Sequence, residues 1–402
     1  MGRAGSERQR GPSRVKAGPS TPRLGRAADT PKVLIVSPAV TPPWTNGTSV
    51  LVRHLCEAGE GFRYHIMGCR GQLAPAARVT VEPIYGDGRQ HGLVTQARLA
   101  ARLLTPDGSA LHHFFFAPHP RAVRVAKSAL MLSRRRSVHT VPSPPADDLD
   151  LARAIFADRT VVLTEASAVS FRQAGVSDVH VIRPAVPLPP EPADMAAYRR
   201  RLALWMPGPA WGDEPAFLYP GDLEFSNGAS VFLDAAERVH AACPEARFVL
   251  ACRPKTPRAA QVLAELERRV ARSAMRERVT FVGVAPDFAA LLGAVSAVVL
   301  PVDTLYAKVD TPLAILNAMA LGTPAIVSDI PQLAELAGLG DGVRAVQQSS
   351  PDDTARAMQL IAESSSLQRT LGIGARRTVA THFAPAAMAA AYEALYRELI
   401  DA

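Results

Sequence analysis

Apolar runs of membrane length, closely spaced cysteines and a complete dinucleotide fingerprint are all missing from this chain of 402 residues. No stretch of about 18 uncharged apolar residues occurs, so nothing reads as a helix that crosses a bilayer. Cys56, Cys69, Cys243 and Cys252 lie far apart and lack the paired spacing of a zinc site. Buried free thiols in a reducing compartment are therefore expected, and no metal site. The first glycine-bearing loop carries Gly47 alone rather than G-x-G-x-x-G, which argues against a classical dinucleotide site. The start of the chain has no apolar stretch of the kind a secretory signal needs, and a cytoplasmic location is expected.

What is present is a globular composition, 48% apolar and 20% charged, long enough for two cores. The net charge of +8 is unevenly placed. Met1 to Lys32 carries eight Lys or Arg against two Asp or Glu, which leaves only +2 for the rest. This head is rich in Gly, Pro, Ser and Arg, so residues 1–31 are expected to be a disordered basic tail. Such a tail is either a solvated extension or a peripheral contact with acidic lipid at a membrane. It is a poor basis for nucleic-acid binding, and none is expected.

From Lys32 onward, buried-strand patterns alternate with helical ones. "KVLIVSPAV" (32–40), "ALHHFFFA" (110–117), "RSVHTV" (136–141), "RTVVLTEAS" (159–167) and "VHVIRPAV" (179–186) read as strands of a first unit. The proline-rich "PLPPEPAD" then breaks regular structure. "AFLYPGDL" (216–223), "ARFVLACR", "RVTFVGV" and "SAVVLPV" restart the pattern with helices between them. Repeated βα units require parallel, doubly wound sheets. The expected fold is thus α/β: two Rossmann-like domains, 32–185 and 216–384, joined by a linker over 186–215. Residues 385–402 form a last helix. Ligands of such sheets bind at strand carboxyl ends, here in a central cleft.

Several segments resemble the family-4 glycosyltransferases, of the two-Rossmann GT-B class. They are "PLAILNAMALGTPAIVSD", "FLYPGDLEFSNGASVFLDAAERV", "RVTFVGVAPDFAALLGAVSAVVLPV" and "VVLTEASAVSFRQAGVSDVHVIRPAV". The resemblance extends over about 32–400. It implies a hexosyl- or other glycosyltransferase that moves a sugar from a nucleotide-diphosphate donor to a glycan, lipid or small-molecule acceptor, with retention. It implies no cofactor, since the nucleotide sugar is a substrate, and a final helix that crosses back onto the first domain.

The same resemblance marks departures. The family's Arg and Lys after the glycine turn are replaced by Asp222, after Gly221, and by Asn227. Lost cations would weaken stabilisation of the leaving diphosphate. Arg253 and Lys308 are candidate replacements, or else solvated surface cations. Thr311 opens a helix whose N–H groups would face the phosphate, and Asn317 stands where an acid is usual but can still bond a ribose hydroxyl. Asp310 precedes Asn317 by about two helical turns and is either a catalytic acid or a helix cap. In the first domain Gly47, Thr48 and His113 are assigned to an acceptor-side loop, with Gly47 and Thr48 ahead of a helix over 50–58. His139 is a candidate catalytic histidine, although a shifted register puts Pro142 in its place. A lone histidine beside such strands is more often a packing or surface residue than a catalytic one. The residue swaps also leave open a catalytically weak or inactive GT-B homologue that binds nucleotide or glycan or supports a partner enzyme, and more remotely a nucleotide-sugar epimerase.

Overall fold

The computed structural model describes residues 1–2, 30–38, 40, 44, 46–69, 78–85, 93–144, 149–190, 194–208, 210–306 and 308–402. The chain divides into two units, Met1–Thr30 and Pro31–Ala402. Of the expected basic tail, 3–29 lie outside the described residues.

Pro31–Ala402 contains two parallel sheets. The first is built from β1 (Lys32–Val36), β2 (Arg63–Met67), β3 (Val79–Glu82), β4 (Leu111–Phe115), β5 (Arg136–Val141), β6 (Arg159–Val162) and β7 (Val179–Val181). Its order is β3-β2-β1-β4-β5-β6-β7. Helices α1 (Gly47–Ala58), α2 (Leu93–Leu104), α3 (Pro120–Ser133), α4 (Leu151–Ala154) and α5 (Glu165–Gln173) connect its strands. The strand order reverses between β1 and β4, which pair from Val33–Leu111 to Val36–Phe114.

After α6 (Met195–Leu202) comes the second sheet: β8 (Ala216–Tyr219), β9 (Arg247–Ala251), β10 (Val279–Val282), β11 (Ala297–Leu300), β12 (Ala325–Ser328) and β13 (Val343–Val346). Its order is β10-β9-β8-β11-β12-β13, so its reversal falls between β8 and β11. It carries α7 (Gly228–Ala242), α8 (Pro257–Ala271), α9 (Phe288–Ala294), α10 (Leu313–Ala320), α11 (Pro331–Gly338), α12 (Pro351–Glu363) and α13 (Ser365–His382), and the chain ends in α14 (Pro385–Asp401). The central strands are runs of fully buried apolar residues, as parallel strands covered on both faces must be.

The segment 186–215 is more than a bare linker. Val186, Leu202 and Met206 belong to the second core. Arg199 is buried, with Nε donating to the Ala294 carbonyl at 3.1 Å and a guanidinium N–H donating to Glu214 O at 2.9 Å. Arg376 of α13 donates to the carbonyls of Pro189 and Pro190 and ties down the proline stretch. Val186 N donates to Phe383 O at 3.1 Å, so the two crossings between sheets run side by side. Beyond the second crossing, α14 packs on the first sheet through Met388, Tyr392, Tyr396 and Leu399. Glu393 anchors it by accepting from Gly61 N at 2.8 Å and Tyr64 Oη at 3.1 Å.

Candidate functional site

The carboxyl ends of the two sheets meet at the segment between β11 and α10. Asp310 N donates to the carbonyl of Pro142, just past β5, at 2.9 Å. Val309 packs into the core of the first sheet. Its Cγ2 lies 2.4 Å from where a Cβ on Gly47 would stand. Gly47 opens α1, whose Asn46 cap accepts from Thr48 N and Ser49 N at 2.9 and 3.3 Å. The glycine is thus required by a direct approach of the second domain. Gly47→Ala is expected to lower the thermal midpoint by the equivalent of about 1–3 kcal/mol, because Val309 is β-branched and stiff. The double variant Gly47→Ala/Val309→Ala should recover part of that loss, a coupling that independent sites would not show.

Asp310 turns its side chain away from α10. Its Oδ2 accepts from Ser167 Oγ at 2.6 Å, and its Oδ1 is buried with no partner among the described residues. Burial pushes its carboxyl up to about 7, with Glu335 adding to the rise and the Ser167 and Thr164 hydroxyls opposing it. The expected cap is therefore absent: Pro312 occupies the cap position, and no side chain bonds the first turn of α10. Glu335 of α11 reaches the same place, accepting from Ala166 N at 3.0 Å and from Arg183 at 3.2 Å. Two carboxylates of the second domain thus meet the N-terminus of α5, where the helix dipole favours negative charge.

At the reversal between β8 and β11 the chain turns through Gly221. A Cβ there would fall 2.0 Å from the Tyr219 ring, so only glycine fits. Asp222 follows and organises the loop, accepting from Glu224 N, Phe225 N and Ser226 N at 3.0, 2.6 and 3.2 Å. Lys308 Nζ is in direct contact with Asp222 Oδ2. The carboxylate that replaces a family cation is therefore joined to the candidate substitute cation. Burial pulls the Lys308 ammonium down to about 8, while the touching carboxylate works in the other direction. Asn227 also takes part: its N donates to Asp303 Oδ1 at 3.1 Å and its Nδ2 to Ser349 Oγ at 2.7 Å.

Among the candidates, Gly47, Lys308, Asp310 and Gly221 are drawn into one junction, with Thr311 buried beside Asp310. Asn317 lies further along α10, half-buried, with no side-chain hydrogen bond among the described residues. Arg253, just past β9, is half-buried. The histidines lie elsewhere. His113 is not on a loop but in the middle of β4, fully buried, bridging Tyr396 Oη (2.5 Å from Nδ1) and Thr140 Oγ1 (2.8 Å from Nε2). It fastens α14 to the sheet. His139 is also fully buried; its Nε2–H donates to Phe116 O at 3.0 Å, and Phe116 and Phe156 pack on its ring. Burial holds it neutral, with the pKa lowered to about 4. Pro142, which the shifted register offered, is one of several first-domain residues that touch the second domain, with Gly47, Ala166 and Ser167. Ser167, Thr164 and Glu335 were missed, although the helix cap at "LTEAS" was legible. No helix of the described residues is long and apolar enough to cross a membrane. Among them no three His, Cys, Asp or Glu converge on a metal position.

Residues 214–364 match the family described as glycosyl transferases group 1. No curated protein matches the chain. Solved structures do, at low identity. A sucrose-phosphate synthase from Thermosynechococcus elongatus is 19% identical with a TM-score of 0.72, over 92% of this chain and 99% of that one. HepE of Anabaena in complex with UDP-glucose is 16% identical with a TM-score of 0.71, over 91% and 99%. An α,α-trehalose-phosphate synthase (UDP-forming) from Burkholderia vietnamiensis is 14% identical with a TM-score of 0.64, over 92% and 99%. The chain has the GT-B fold, and residues 214–364 of its second half are similar to the group 1 glycosyl transferases.

Proposed function

We propose that the protein is a retaining glycosyltransferase of the family-4 type, with a nucleotide-diphosphate sugar bound at the β8–β11 reversal and an acceptor bound on the first domain. The observation that carries this reading is the convergence of Gly221, the N-terminus of α7, Lys308 and the opening of α10 at one strand-order reversal. Glycine lets backbone approach a phosphate, and a reversal is where such sheets bind ligands. In the reaction the acceptor hydroxyl oxygen forms the new bond to the anomeric carbon as the bond to the diphosphate oxygen breaks, and the hydroxyl proton passes to the departing diphosphate. The departing diphosphate gains charge, and Lys308 is the cation placed to offset it. Asn317 would hold the ribose. UDP is the first nucleotide to test, because HepE was solved with UDP and with UDP-glucose.

Thermal-shift measurements with UDP-, GDP-, ADP- and TDP-sugars test the donor site, since a ligand of the folded state raises apparent stability by mass action. At least one nucleotide sugar is expected to raise the midpoint and to release its nucleoside diphosphate on turnover, with retained configuration in the product. If none binds at millimolar concentration, the reading fails. Binding without turnover on any acceptor would support the weak or inactive homologue.

A further inference from the structure

The reversal in the first sheet opens into a cavity of about 510 Å³, of the size that holds a small-molecule ligand. Val36 and Pro38 at the end of β1, Phe114 and Phe116 at the end of β4, Leu99 of α2 and Ala122 of α3 are among its walls. Among the described residues most of the lining is apolar; Ser37, Tyr85, Thr95, His119 and Arg121 are its polar side chains. Ser37, the polar side chain at the end of β1, already donates to the Pro38 carbonyl at 2.8 Å. His119 Nδ1 is likewise taken, by Arg121 N at 3.3 Å, and Tyr85 already has a partner, so apolar surface dominates where a sugar ring would need several free hydrogen-bonding groups. The rim differs. Arg121 lies there in the first turn of α3, exposed, with no ion pair among the described residues. Val125, also at the rim, is 44% exposed. An apolar chamber with one unpaired cation at its edge fits a single apolar chain that ends in an anion.

We propose that this cavity seats the apolar chain of an anionic amphiphile, with the anion on Arg121, and that this amphiphile is the class of acceptor the protein takes. The assignment of the ligand as acceptor rests on the glycosyltransferase reading; the existence of the site does not. The two strand-order reversals then divide the work. The second-domain one is polar and suits a diphosphate, while the first-domain one is apolar and suits a chain.

Calorimetry with straight-chain carboxylates from hexanoate to dodecanoate, below their micellar concentrations, tests the site without a bilayer. Affinity is expected to rise about fourfold per methylene until the chamber is full, then level off. Arg121→Ala should weaken decanoate about tenfold and leave decanol unchanged. Ala122→Trp, which fills the chamber from α3, should weaken both at least tenfold. Retained nucleotide binding and an unchanged melting midpoint show that the variant is folded, and Leu99→Phe is a second filling variant should Ala122→Trp not fold. The proposal is overturned if decanoate does not bind, if acetate binds as well as decanoate, or if a folded chamber-filling variant binds decanoate like the parent. If decanoate binds as expected while no nucleotide sugar does, the site stands and the glycosyltransferase reading falls.

Discussion

Asp310→Asn is expected to stabilise the protein at pH 8 while lowering turnover by at least a hundredfold. The carboxyl of Asp310 is almost entirely buried, and burial raises it from 3.8 to about 7. The folded protein therefore holds this proton more tightly than the unfolded chain does. Below about pH 4 the group is neutral in both states and has no effect on stability. As pH rises from 4 to 7 the unfolded chain ionises first, and the folded state loses ground. Above 7 the loss is constant, on the order of 4 kcal/mol for a gap of about three units. Asparagine removes that loss and can still accept from Ser167. Its amide N–H would occupy the site of the unpartnered Oδ1, at a cost of about 1–3 kcal/mol. The net expectation is a gain of roughly 1–3 kcal/mol at pH 8, a loss of about the same size at pH 4, and a much flatter pH dependence between them. Thermal midpoints of parent and variant at pH 4.5, 6 and 8 read this directly. An unchanged pH slope would show that Asp310 is ionised in the folded state. The kinetic half follows from position: a carboxyl poised to ionise near neutrality, where the carboxyl ends of both sheets meet, is suited to act on the transferred group. Stabilisation without loss of turnover would make Asp310 a structural acid of the domain junction and nothing more.

The sequence disclosed the two sheets because their central strands are buried on both faces and read as continuous apolar runs. It also disclosed α10, since Pro312 marks its start and Gly322, at φ +84°, its stop. It hid β2, β3, α2 and α3. "RYHIM" and "VTVE" interleave polar residues with apolar ones, while α2 and α3 went unread even though Gly92 precedes the one and Pro120 opens the other. The first-domain cavity is built largely from those hidden elements, so nothing in the sequence pointed to it. The junction was hidden for a different reason. Ser167 and Asp310, or Ala166 and Glu335, are partners more than a hundred positions apart, and local pattern carries no information on such pairs. The histidines misled because a strand-end position was inferred for residues that lie within the strand. His139 lies within β5 and Pro142 three residues later, just past its end, so where the strand stops decides which of them faces the second domain. The cap expected of Asp310 failed because a carboxylate can serve a neighbouring helix, here α5, as well as its own.

Lys308→Ala and Asp222→Asn are expected to change diphosphate affinity in opposite directions. In the absence of ligand, Lys308 and Asp222 form a half-buried ion pair, 15% and 21% exposed at their side chains. A diphosphate that enters the β8–β11 reversal must compete with Asp222 for the same ammonium. Removing the lysine takes away the cation and leaves an unpaired carboxylate beside the phosphate, so repulsion adds to the lost bond. A charge-assisted hydrogen bond contributes roughly 1.5–3 kcal/mol, and Lys308→Ala should therefore weaken UDP by tenfold or more. Uridine, which carries no phosphate, should bind as before. Asp222→Asn keeps an oxygen to accept from the N–H groups of Glu224, Phe225 and Ser226, so the loop is preserved. It removes the competing charge and should tighten UDP severalfold, again without effect on uridine. The double variant should behave like neither parent of the cycle, because the two side chains touch and their effects cannot add. Salt offers a further check: screening should weaken UDP relative to uridine in the parent, and in Lys308→Ala should instead relieve the repulsion from Asp222. Calorimetry with UDP and uridine on the four proteins of the cycle decides the matter, with GDP, ADP or TDP in place of UDP if the donor screen selects another base. If Lys308→Ala binds the diphosphate as tightly as the parent, the phosphate is held by the N–H groups of α7 and α10 without this cation, and the pair serves only to brace the loop after Gly221.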